Sequence, residues 1–149
     1  MGIFDMMSIS ASALSAERQR SEVISANMAN AETTHTDTGG PYVRKEVVFS
    51  AAGGSMFHSV MNGMGRFSGP PAGSVQLTQV VDDPTPAVMH FEPGNPDANA
   101  SGFVAYPAIN PVKEMADLMG SVRAYQLNAS AVSAEKQLVQ ESISILKTS

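Results

Sequence analysis

The chain has 149 residues, 43% of them hydrophobic but only 6% aromatic, with ten methionines, no tryptophan, no cysteine and a formal net charge of -5. That length accommodates one ordinary domain or two small units, with apolar surface built mainly from Ala, Val, Met and Ile. The absence of cysteine excludes a disulfide framework and thiol chemistry, and an acidic chain with no basic run argues against binding nucleic acid.

The first twenty residues, MGIFDMMSISASALSAERQR, lack a basic start, and Asp5 and several serines break their apolar character. They do not read as a signal peptide, and no stretch of the chain approaches the ~20 apolar residues of a membrane span. If the protein leaves the cytoplasm, the expected route is one that needs no cleaved signal.

A helix is predicted over about 3–32. Ile3, Met7, Leu14, Ile24, Met28 and Ala31 fall on one 3.5-residue frame, interrupted by Ser10, Glu17 and Ser21. It ends with two asparagines three apart, Asn27 and Asn30, where Leu or Ala would be the better helix formers.

Residues 33–110 hold nearly all the proline and most of the glycine, and the heptads stop there. Strands are predicted at Tyr42–Phe49, at Val75–Val81 from its alternation, at Val88–Phe91 and at Phe103–Tyr106. Between them, 53–74 reads as a flexible Gly, Ser and Met loop, and EPGNPDANASG (92–102) as a dense cluster of turns. Met56, Met61 and Met64 in that loop are candidates for an apolar contact with a neighbouring chain.

The second helix is the clearest pattern. Asn110 can cap it and Pro111 suits its first position. From there Met115, Leu118, Val122, Tyr125, Ala129, Val132, Lys136, Val139, Ile143 and Leu146 occupy heptad positions a and d, and only Lys136 is not apolar. From Val112 to Lys147 such a helix is about 54 Å long, too long for a compact domain of this size. The expected fold is therefore α+β: two long terminal helices (1–32 and 111–149) pairing as a coiled coil, with a small, loop-rich β insert (33–110) between them.

Sites for chemistry are scarce. His35, His58 and His90 have no second His, no Cys and no paired carboxylate at a metal-ligand spacing. Asp82 and Asp83 precede Pro84 and read as a turn. A small secreted hydrolase using His90 with Asp82 or Asp83 is the alternative from another class. No nucleophile elbow or phosphate loop is present, so the expectation is a non-enzyme with no metal, no cofactor and no small-molecule substrate.

Polar residues in a helical seam cost stability but fix register, because wrong pairings leave them unpaired. Asn27 and Asn30 share one helix face, and Asn128 lies beside the second seam. They are expected to mark register in a packed assembly, the competing reading for Asn30 being an ordinary helix end.

The stretch SANMANAETTHTDTGGPYVRKEVVF (25–49), with its Asn-x-x-Asn pair followed by Thr, resembles the N-terminal signature of bacterial flagellar rod and hook proteins. GFVAYPAINPVKEMADLMGSVRAYQLNASAVSAEKQ (102–137) resembles their C-terminal signature, including Arg123, Tyr125 and the following Asn128. The chain is short, has no Gly-Tyr soon after the Thr, and carries the turn cluster at 92–107; these features resemble the proximal rod members. The resemblance implies a structural subunit of the rod, the drive shaft crossing the periplasm, exported through the flagellar type III apparatus. It implies helices forming an inner tube around the export channel, the insert outside, and as partners other copies of the chain, other rod proteins and the rod-base adaptor. Another proximal rod subunit or adaptor of the same structure is the nearest alternative.

Overall fold

A computed structural model describes residues 3–52 and 73–147. Helix α1 runs over Ile3–Ala29, strands β1 over Lys45–Ala52, β2 over Ser74–Asp82, β3 over Val88–Phe91 and β4 over Phe103–Tyr106, and helix α2 over Pro111–Lys147. This is the α+β class expected from the sequence. No described helix is long and apolar enough to cross a membrane. The predicted loop, with Met56, Met61, Met64 and His58, falls almost wholly outside the described residues.

The first helix stops three residues before its predicted end. Asn30 N–H still reaches Ala26 O at 3.1 Å, but Thr33 N–H then turns back to Asn30 O at 3.1 Å. Asn30 assists with its side chain: Nδ2 donates to Ala26 O at 2.8 Å and Oδ1 accepts from Thr33 Oγ1 at 3.2 Å. The chain then turns through Gly39 and Gly40, both at positive φ (85° and 80°), which glycine adopts without steric cost. The first strand begins at Lys45 rather than Tyr42, because the groups just before it are engaged elsewhere: Tyr42 N–H donates to Thr33 O at 3.0 Å.

The strands form two separate two-stranded sheets, β1 with β2 and β3 with β4. In the second, Val88 faces Tyr106 and Phe91 faces Phe103, antiparallel. The turn cluster joins them. Asn99 Oδ1 accepts from Ser101 N–H at 2.9 Å and Phe103 N–H at 3.0 Å, and Glu92 N–H closes onto Gly102 O at 2.9 Å.

The chain divides into two compact units. One comprises the described residues of 1–19, 49–78 and 122–149; the other comprises 20–48 and 79–121. In the first, Ser12 Oγ accepts from Val75 N–H at 3.1 Å, tying α1 to the start of β2. In the second, Val104 of β4 is fully buried. Among the described residues, the buried hydrophobic side chains that form the core are Ala16, Ile24 and Val104. Burying a Val or Ile side chain yields about 1.5–3 kcal/mol and the Ala methyl less, so this apolar core is thin.

Candidate assembly site

Asn27 is 1% exposed. Its Nδ2 donates to Lys45 O at 2.8 Å and its Oδ1 accepts from Lys45 N–H at 2.9 Å. The side-chain amide thus pairs with one residue's backbone as a neighbouring strand would, and this fixes where β1 begins. Oδ1 also accepts from Tyr42 Oη at 3.1 Å, and Nδ2 lies 3.4 Å from Glu114 Oε2.

Glu114 sits in the first turn of α2, where the helix N-terminus favours a carboxylate. Asn110 caps that turn, its Oδ1 accepting from Val112 N–H at 3.0 Å and Lys113 N–H at 3.3 Å. The Glu114 side chain is buried, and its Oε1 accepts from Arg44 Nε at 2.7 Å. Arg44 Nη1 reaches on to Glu46 and, at 3.2 Å, to Asp83.

The electrostatics agree with these contacts. Burial works to lower the Arg44 pKa, but hydrogen bonds to Glu114 and Glu46, the charge of Glu114 and the bond to Asp83 outweigh it and move the pKa up. Burial, with the charges of Asp82 and Glu114, raises the Tyr42 phenol. The hydroxyl and backbone N–H of Thr85, followed by Arg44, hold Asp83 below the ordinary carboxylate range.

Two further contacts join the helices. Ser21 Oγ and Ser121 Oγ are 2.9 Å apart, and Ser10 Oγ donates to Glu135 Oε1 at 3.1 Å. In the second unit Ser21 meets Ser121 and Asn27 meets Glu114, so there the helices run antiparallel. Glu114 and Ser121 in the second unit and Glu135 in the first meet α1; with Asn128 they follow one another at seven-residue steps, each one residue before an expected a position. Asn128 is half-buried and returns its Nδ2 to Ala124 O at 3.0 Å.

The expected seam residues separate. Leu118, Ala129, Val132 and Val139 are half-buried, whereas Met115, Val122, Tyr125 and Ile143 are exposed; the Leu146 side chain lies outside the described ones. Arg123 is exposed as well. Outward on α2 run Val112, Met115, Met119 and Val122, with Leu127, Leu138 and Ile145 on another flank; Val112 is 77% and Leu127 73% exposed.

The residues of the hydrolase alternative have other engagements. Asp83 accepts from the Thr85 backbone and hydroxyl, while His90 stands edge-on to Tyr106 at 5.1 Å between ring centroids. Sequence reasoning passed over Glu114, Arg44 and Ser121. The available signal was the seven-residue spacing of polar residues on α2, hidden beside a more conspicuous apolar heptad.

Two family descriptions match this chain: flagella basal body rod protein over residues 7–34, and flagellar basal body rod FlgEFG protein C-terminal over residues 100–145. The chain is 35% identical to the flagellar basal-body rod protein FlgC of Bacillus subtilis, over 99% of this chain and 100% of that one. It is 34% identical to FlgC of Yersinia enterocolitica over 97% of this chain and 98% of the relative. It is 30% identical to FlgC of Escherichia coli O157:H7, with the same coverage, 97% and 98%.

Proposed function

The chain belongs to the FlgC family of flagellar basal-body rod proteins, and from that membership we propose that it builds the proximal part of the rod, packing with other copies and with neighbouring rod proteins into the shaft that transmits torque. It is a structural protein of the rod and not an enzyme. In this reading α1 and α2 pair as a coiled coil and line the inner tube around the export channel, and residues 33–110 lie outside it. The subunit reaches the periplasm through the flagellar export apparatus, and the rod-base adaptor is among its neighbours.

The observation that carries this reading is the outward side of α2. A helix with Val112, Met115, Met119, Val122, Leu127 and Ile145 exposed, over so thin an internal core, gains its apolar burial from other chains. A helical stack is a non-closing, heterologous arrangement, so such a surface suits indefinite packing whose length partners must limit. Tyr125, Ile143 and Arg123, exposed as well, are counted among the contacts between subunits.

Deleting the gene in its own organism tests the proposal. The expected result is loss of swimming with rods truncated near the inner membrane, restored by the intact gene. Full-length rods and normal swimming in the deletion strain would overturn it.

A further inference from the structure

We propose that the pairing register of α1 and α2 is set inside each chain by a polar lock, Asn27 with Glu114 and Arg44, and not by apolar packing. The lock concerns the fold of the chain itself and does not depend on the reading of it as a rod subunit.

Apolar burial is too slight to select a register. Among the described side chains of α1, only Ala16 and Ile24 are buried hydrophobics. A slip of one heptad keeps the same helix faces together, so the competing states are seven-residue slips. The polar partners distinguish them. Asn27 faces Glu114 and Ser10 faces Glu135 in the observed pairing.

Sliding α2 seven residues one way brings Glu114 level with Thr34 (27 + 7), beyond the end of α1 at Ala29. Asn27 and Arg44 then lose their carboxylate, and Glu135 comes level with Glu17 (10 + 7), a like-charged neighbour. Sliding the other way sets Asn27 level with Pro107 (114 - 7), before α2 begins, and Ser121 level with Leu14 (21 - 7). Each slip strands buried polar groups, which costs more than the apolar contacts can restore. Stranding polar groups in the alternatives is how a polar seam specifies one pairing.

The chain contains no cysteine, so engineered pairs report register directly. Ser21→Cys with Ser121→Cys reads the observed pairing, where the two hydroxyls are 2.9 Å apart. Ser21→Cys with Asn128→Cys reads one slip, and Leu14→Cys with Ser121→Cys the other. In the full-length chain under mild oxidation, the native disulfide is expected to dominate both slipped ones. Adding Asn27→Leu and Glu114→Leu should lower the native-to-slipped ratio by at least about tenfold, since breaking a buried pair costs more than the 1.4 kcal/mol that tenfold represents. Glu114→Gln, which keeps size and an acceptor for Asn27, should give a ratio between the two. An unchanged ratio in the double variant, a Glu114→Gln ratio at or above the parent's, or a parent chain that never forms the native disulfide would overturn the lock.

Discussion

Asn27 and Glu114 stand 87 positions apart in the chain and meet where the Asn27 amide donates to Glu114 Oε2 at 3.4 Å. That contact joins the end of one helix to the start of the other, and the same amide holds Lys45 at the start of β1. Asn27→Ala leaves the Lys45 backbone groups and Glu114 without this partner, and a loss of about 1–3 kcal/mol is expected. Asn27→Asp should cost more, because it removes both amide donors and sets a second carboxylate beside Glu114. Urea unfolding of the full-length chain measures both; equal stability of Asn27→Asp and the parent would refute the assignment.

The same cluster gives stability a pH dependence at both extremes. Asp83 is held below its ordinary value of 3.8, so its contribution is complete above that pH and is lost as pH falls through the depressed folded value. The Tyr42 phenol is raised above 10.0, so the unfolded chain deprotonates first and stability declines as pH rises past 10.0 until the folded phenol also ionises. Thermal melts across pH should show Asp83→Asn flattening the acid limb and Tyr42→Phe flattening the alkaline limb. Unaltered limbs in these variants would remove the two residues from the account.

At the β3–β4 turn, Gly102 sits at φ +78°, and a Cβ there would lie 3.0 Å from the Phe91 ring. Gly102→Ala therefore combines backbone strain with a clash against the Phe91–Phe103 pair, at a cost of about 1–3 kcal/mol. Limited proteolysis of the turn should accelerate in the variant, whereas Gly94→Ala, which meets nothing within 4 Å, should leave it unchanged.

Much of this architecture was legible in the sequence. Pro111 after Asn110 marked the start of α2, and VMHF and FVAY marked two strands at their observed bounds, though not their pairing. What was not legible is that Asn27, Arg44 and Glu114 meet, because they come from three separate segments and no local spacing links them. The apolar heptad from Met115 is present in the chain, but burial divides it: Leu118, Val132 and Val139 are half-buried while Met115 and Val122 are exposed. Periodicity identifies a helix that packs; it does not say against which chain.

The exposed side of α2 should therefore tolerate charge in the isolated chain and fail in assembly. Met119→Glu and Leu127→Glu alter surface positions, where stability usually changes by less than about 0.5 kcal/mol. Motility should nonetheless be lost when either variant replaces the parent gene. Full motility with both substitutions together would remove that surface from the assembly.

The most direct test of the proposal that neighbouring subunits cover this surface is maleimide labelling of Met119→Cys, the sole cysteine in an otherwise cysteine-free chain. It should be done on the purified protein and on isolated basal bodies from a motile strain carrying the variant. The account expects rapid labelling of the free chain and strong protection in the rod. Equal labelling in both would mean that α2 keeps this side in water after assembly, and would contradict the account.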